Sequence, residues 1–245
     1  MADQGKPLGT LTTTPAQNPT IKVVAIGNDK LDPEDKKVIC KAICYCHYQP
    51  HKGKNDQNLY QSCVSARLKE LDLVLGHQSP WKPELTYDMS ESPPKPITDK
   101  NIATKAHDYV WGWIKKNWLK DKGYEYEKGE GMTRRPDVVI VKDPTKPATQ
   151  DNIKNVVEIK FGDDEFGDDQ RDSYETIAGD PKKVKVLDPD ECECGNDDED
   201  GKKSTVTEFV TWASGIALAL YNLRKGKLPK LPKFPSPKPS PSPAW

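Results

Sequence analysis

The chain has 245 residues, of which 34% are hydrophobic and 31% charged, and a net charge of -1. That length suits one moderate domain with attachments, and the near-neutral balance excludes a uniformly basic nucleic-acid coat. No run approaches the ~20 consecutive apolar residues of a membrane-spanning helix, and the N-terminus lacks the cationic start and apolar core of a secretory signal, so export is expected only by a signal-independent route.

Residues 1–30 are rich in Thr, Pro, Gln and Gly and read as an extended leader with one candidate strand at residues 21–26. Asp32-Pro33-Glu34-Asp35 has the form of a helix start: an N-cap acid, Pro at the first helical position, then acids in the first turn. That helix is expected to reach about Cys46. A second is expected over residues 56–75, where Tyr60, Val64, Leu68, Leu71 and Leu75 recur at helical spacing before Gly76. The two read as a hairpin outside the strand-bearing core, and the proline-studded residues 78–98 as an irregular connector.

An amphipathic helix is expected over residues 102–119, with Ala106, Tyr109, Val110, Trp113, Ile114 and Trp118 on its apolar face. A short strand at residues 124–126 and a Gly-rich loop follow. Two β-branched runs, residues 138–141 and 153–159, read as strands covered on both faces. Gly162 breaks the chain, a helix covers residues 168–178, a strand residues 184–187, and an apolar helix residues 205–224. Residues 228–243 alternate Lys, Pro and Ser and favour extended polyproline geometry. The expected organisation is a leader (1–30), a helical hairpin and connector (31–98), an α/β core (99–190), an acidic loop with a C-terminal helix (191–227), and a basic tail (228–245).

Six cysteines fall into two clusters. Cys40, Cys44 and Cys46 form C-x3-C-x-C ahead of His47 and His51, with Cys63 beyond; Cys192 and Cys194 form C-x-C in a stretch where every charge is acidic. Neither has the C-x2-C spacing of a zinc site, so core thiols or disulfides, including one to Cys63, are favoured over metal binding.

Three ionic residues interrupt the two central strands. Asp137 opens the first, and Glu158 and Lys160 sit two apart on the second, hence on one face. If the strands are neighbours, Asp137 can lie beside Glu158. Burying charge costs free energy unless it is paired or metal-bound, so this face is a candidate site. Two carboxylates and the backbone carbonyl of Ile159 can hold Mg²⁺, which prefers oxygen and keeps several waters. A divalent ion lowers the pKa of a water and neutralises charge on a phosphorane, and Lys160 can orient the water or stabilise that charge. Arg134 and Arg135 are the best cations nearby for phosphate, followed by Lys115, Lys116 and Lys120.

Pro136-Asp137 heading a Val/Ile strand, then Glu158-Ile159-Lys160 ending another, with helices on either side, resembles the PD-(D/E)xK nuclease superfamily and its α-β-β-β-α-β, restriction-endonuclease-like core. Arg134 to Ile140, Glu158 to Asp163, Gln170 with Tyr174, and Ile177-Ala178-Gly179 resemble its VRR-NUC branch over roughly residues 100–190. The resemblance implies that Asp137 and Glu158 bind Mg²⁺ (Mn²⁺ as substitute), that Lys160 is catalytic, and that Gln170 and Tyr174 assist. Such nucleases often carry a Glu in the first core helix. Here the helix reads Lys105-Ala106-His107-Asp108-Tyr109, so His107 or Asp108 substitutes or the ligand is absent. The flanks resemble stand-alone VRR-NUC toxins of type VI secretion, implying double-stranded DNA as target, a cognate immunity protein, a secretion apparatus as partner, and action in the cytoplasm of a rival bacterium. The competing readings are a nucleic-acid-binding module with a lapsed site, a repair nuclease of the same fold, and a cysteine-centred metal or interaction protein.

Overall fold

The structure is a computed structural model that describes residues 30–162, 164–195 and 206–225. The expected strand at 21–26, residues 196–205 of the acidic loop and the basic tail lie outside the described residues. Helix α1 spans Pro33–Tyr48, and Asp32 caps it by accepting a hydrogen bond from the Glu34 amide. A two-strand ribbon, β1 (His51–Lys52) with β2 (Asn58–Leu59), leads into α2, Tyr60–Val74. Strands β3 (Trp81–Pro83), β4 (Tyr87–Asp88) and β5 (Lys95–Pro96) precede α3, Val110–Lys122. Then come β6 (Thr133–Arg134), β7 (Val138–Val141), β8 (Ile153–Ile159), α4 (Asp168–Ala178), β9 (Val184–Leu187) and α5 (Val206–Lys225).

The central sheet has the order β3-β7-β8-β9, antiparallel across the first two pairs and parallel across the last. Side-chain alternation splits its apolar residues between two cores. Val138, Ile140, Val157 and Ile159 join Trp81 and residues of α1, α2 and α5; Val139, Val141 and Val156 join Tyr174, Ile177 and Ala178 of α4. Both faces are covered, as the near-continuous apolar runs of β7 and β8 demand.

Three expectations need correction. The residues expected to form the first core strand, 124–126, are not in a strand; the edge of the sheet is β3, from the segment read as irregular connector. Trp81 is fully buried there, and its indole donates to the Asp35 carboxylate, so three residues suffice to anchor the strand. The hairpin of α1 and α2 does not stand apart. Val38, Ile39, Ile43, Leu68 and Leu71 pack in the same cluster as the sheet. The helix expected over 102–119 begins only at Val110 and runs to Lys122, where Gly123 (φ 76°) closes it in the left-handed conformation.

Between β3 and β7 the chain makes a second, three-stranded sheet, β5-β4-β6, and carries α3. Trp118 anchors α3 edge-on to Tyr124 and Tyr126, and Lys122 pairs with Asp88 (3.0 Å) and with Glu91.

All six cysteines form disulfides. Cys40–Cys192 and Cys44–Cys194 staple the segment after β9 to successive turns of α1, and Cys46–Cys63 ties α1 to α2. The C-x3-C spacing on the helix faces a C-x-C in a tight turn, where the Cys192 and Cys194 amides donate to the Asp188 and Pro189 carbonyls. Such cross-links restrict the unfolded chain by about 3–5 kcal/mol each when they close long loops. Among the described residues no helix is long and apolar enough to cross a membrane.

Candidate active site

Strand register builds the site. Val138 pairs with Val157, so continuing the antiparallel ladder by one residue sets Asp137 opposite Glu158. Both point to the α4 face. The Asp137 carboxylate accepts a hydrogen bond from the Ile159 amide (2.7 Å). Glu158 is 2% exposed; its Oε1 accepts from Lys160 Nζ and from Gln170 Nε2, each at 2.8 Å. Its Oε2 is buried with no hydrogen-bond partner among the described residues. Lys160 lies over the Phe166 ring at 5.7 Å.

Helix α4 supplies the supporting layer. Gln170 and Tyr174 are one turn apart and share a hydrogen bond of 3.0 Å, Gln170 donating. The Tyr174 hydroxyl donates to the Arg135 carbonyl (3.3 Å), holding the start of β7 against α4. Burial, with Glu158 and Asp137 nearby, raises the Tyr174 phenol and keeps it protonated. For Asp137, burial first and the charge of Glu158 second push the carboxyl up to about 7, against the lowering by the Ile159 amide and Lys160. Among the described residues Lys160 pairs with Glu158 alone, so two facing acids stand against one ion-paired lysine.

The arginines differ. Arg134 commits its Nε to Ser173 Oγ (2.9 Å), whereas Arg135 is exposed; the Glu84 carboxyl, raised by burial, is lowered mainly by Lys69, and Arg135 adds only the smallest part. His107 and Asp108 are not brought into the site. They precede α3, where the His107 ring accepts from the Tyr109 amide and Asp108 pairs with Lys105 (2.5 Å). The carboxylates are met by α4, and the helix that reaches the end of β8 from the other face is α2. Gln61, in its first turn, donates to the Ile159 carbonyl (3.0 Å), and Tyr60 stacks on Phe161 with ring centroids 4.9 Å apart.

Sequence reasoning missed Gln61, Tyr60 and Phe166. Nothing local marks Gln61, because its role depends on α2 packing beneath β8. The carbonyl proposed as a third metal ligand therefore already has one donor, although a carbonyl oxygen has two lone pairs. Among the described residues no group of three or more His, Cys, Asp or Glu side chains is placed to hold a metal. The available oxygens are two carboxylates and that carbonyl. The orphaned Glu158 Oε2 beside a carboxyl raised by its neighbour is the electrostatic condition that a hard divalent cation relieves, and Mg²⁺ accepts so few protein ligands.

The site thus brings two facing strand carboxylates and an adjacent lysine to one sheet face, braced by the Gln-x3-Tyr turn of α4. Residues 110–190, about a third of the chain, match the family model described as VRR-NUC domain, which has a nuclease-like fold. No curated protein matches the chain. No solved structure matches it. The matched stretch starts at α3 and omits α2 and β3, which complete the site.

Proposed function

We propose that this protein is a Mg²⁺-dependent DNA endonuclease that hydrolyses phosphodiester bonds. The observation that carries the reading is the facing pair Asp137 and Glu158 with Lys160 bound to Glu158, inside a domain whose family suggests a nuclease. The series α2-β3-β7-β8-α4-β9, with antiparallel, antiparallel and parallel neighbours, supports a restriction-endonuclease-like core in which 84–137 is a long insertion after the first strand.

Asp137 and Glu158 would hold the cation, with the Ile159 carbonyl as a third oxygen. When bound, the ion supplies a more acidic water and neutralises charge developing on the phosphate. Lys160 Nζ, 2.8 Å from Glu158, is placed to orient the attacking water and to stabilise negative charge. Gln170 fixes the orientation of Glu158 and Tyr174 holds the Arg135 backbone, so both act as positioning residues. Arg135, exposed beside the site, can contact phosphate; Arg134 secures β6 to α4.

We extend the reading to an antibacterial toxin delivered by type VI secretion, with a cognate immunity protein and the target cell's cytoplasm as place of action. Three disulfides fit a protein that spends time in an oxidising compartment. Purified protein should relax and linearise supercoiled plasmid with Mg²⁺ or Mn²⁺ and do nothing in chelator. Asp137→Ala and Glu158→Ala, folded by circular dichroism, should lose more than about a hundredfold of that rate. A wild-type protein that leaves plasmid and RNA intact with either ion sinks the nuclease reading. For the toxin role, cytoplasmic expression should kill the host unless the product of a neighbouring gene is co-expressed.

A further inference from the structure

Helix α3 has a surface that the carboxylate site does not use. Of the eight exposed large apolar side chains among the described residues, five (Ile102, Tyr109, Trp111, Leu119 and Tyr124) lie on α3 or its flanks, so the exposed apolar area is concentrated there. At the start of α3 is a cleft of about 470 Å³ lined by Lys100, His107, Tyr109, Gly112, Trp113 and Lys116 among others, and no carboxylate lines it. Asp99, next to Lys100, turns its carboxylate to the amides of Asn101 and Ile102. Neither Lys100 nor Lys116 forms an ion pair among the described residues.

The cleft is shaped by a glycine. Gly112 lies inside α3, where glycine costs roughly 1 kcal/mol relative to alanine. A Cβ there would meet the Tyr109 ring at 2.3 Å, so the missing side chain lets an aromatic ring lie against the helix while remaining 62% exposed. His107 Nδ1 accepts from the Tyr109 amide (3.1 Å), which leaves Nε2 as the hydrogen-bond donor of the neutral ring. An exposed aromatic held in place beside unpaired lysines is the chemistry of base stacking with phosphate neutralisation.

We propose that this cleft binds an unpaired nucleotide, its base against Tyr109 and Trp113 and its phosphates on Lys100 and Lys116. The proposal rests on the nuclease reading above and adds to it a subsite, apart from the carboxylates, for an unpaired nucleotide. An acidic peptide would satisfy the lysines but gives the aromatic faces nothing planar to stack on. The insertion that carries the cleft also carries β6, whose Arg134 bonds Ser173 next to Tyr174, so the cleft and the carboxylates share one support.

The test is fluorescence anisotropy of the full chain in chelator, with three labelled probes: a single-stranded oligodeoxynucleotide, a blunt duplex of the same sequence, and that duplex with an unpaired overhang. The wild type should bind the first and third more tightly than the second. Tyr109→Ala and Lys116→Ala, both at exposed positions, should each weaken binding to those two probes about tenfold, within the range of one stacked base, and leave the blunt duplex unchanged. Gly112→Ala, which displaces the Tyr109 ring while favouring the helix, should give the same loss without lowering the melting temperature. Wild-type affinity in Tyr109→Ala and Lys116→Ala overturns the proposal, as does equal binding of blunt duplex and single strand, or equally strong competition by polyglutamate. Because the assay contains no divalent ion, it is independent of cleavage. A protein that binds as described but never cuts with Mg²⁺ or Mn²⁺ removes the nuclease reading and leaves the cleft standing.

Discussion

Two buried acid–lysine clusters lie along the same sheet, and they are built to opposite accounts of charge. Where β3 begins, Asp72 accepts from Lys82 Nζ (2.7 Å) and the Ser79 amide (3.2 Å) on one oxygen and meets His77 Nδ1 (3.0 Å) on the other. Lys82 also donates to the His77 carbonyl (2.7 Å), and burial, only partly offset by Asp72, lowers its pKa. One acid is shared by several donors and every strong acceptor there is used. At the site end, the one lysine pairs with Glu158 alone, Glu158 Oε2 has no hydrogen-bond partner among the described residues, and Asp137 is pushed up to about 7. A satisfied buried ion pair holds a fold together, whereas a surplus of buried negative charge is an arrangement waiting for a cation. Residue type alone cannot separate these cases, because both contain Asp and Lys near an apolar strand.

The contrast can be broken from either side. The largest effect on stability is expected at the satisfied cluster. Asp72→Ala strands the Lys82 ammonium and should cost about 3–5 kcal/mol, read by urea denaturation, whereas Asp72→Ala with Lys82→Met should recover most of that loss. Equal losses in the single and double variants would show that the pair is not the source.

The opposite sign is expected at the site. The folded-state pKa of Asp137 lies above its ordinary value of 3.8, so its ionisation penalises folding in metal-free protein: nothing at pH 4 and below, growing as pH rises to about 7, complete above. Asp137→Asn keeps an acceptor for the Ile159 amide. In chelator at pH 8 it should therefore be more stable than wild type by roughly 2 kcal/mol, with no difference near pH 4, and it should not cleave plasmid when Mg²⁺ is restored. A variant less stable than wild type at pH 8 would place Asp137 with the structural acids. The smallest effect is expected one layer out: Gln170→Ala should cut the cleavage rate about tenfold by freeing Glu158, with little change in substrate affinity. A loss confined to KM would instead assign Gln170 to substrate contact.

The strands β7, β8 and β9 and the helix α4 were legible because each carries a strong local signal: β-branched runs for the strands, and Gly162 and Gly179 marking the chain on either side of the helix. The shared sheet face of Asp137, Glu158 and Lys160 is legible for the same reason, since spacing within a strand sets side-chain direction, whereas Gln170 and Tyr174 stand out only through the family resemblance. What misled was the helix before the strands. Residues 102–119 have a stronger apolar periodicity than α2, yet only Ile114 and Trp118 of α3 are buried, and its remaining aromatics face solvent. Periodicity reports an apolar face but not what covers it, so a helix with an exposed aromatic face was read as the core helix and the search for a first-helix ligand went to His107 and Asp108. The β3 strand was missed because three residues containing a proline and a lysine give no alternation to read.

The sequence by itself determined the local elements, the N-cap at Asp32, and the common face of Glu158 and Lys160, because these follow from backbone geometry over a few residues. Only the tertiary structure decided which helix lies beneath the site, which strand forms the sheet edge, and which cysteines pair across some 150 residues of chain. It also decided that Asp72 is neutralised while Glu158 keeps an unpartnered oxygen. Those are outcomes of long-range packing, in which the position of a donor depends on elements far apart in the chain, and no local pattern encodes them.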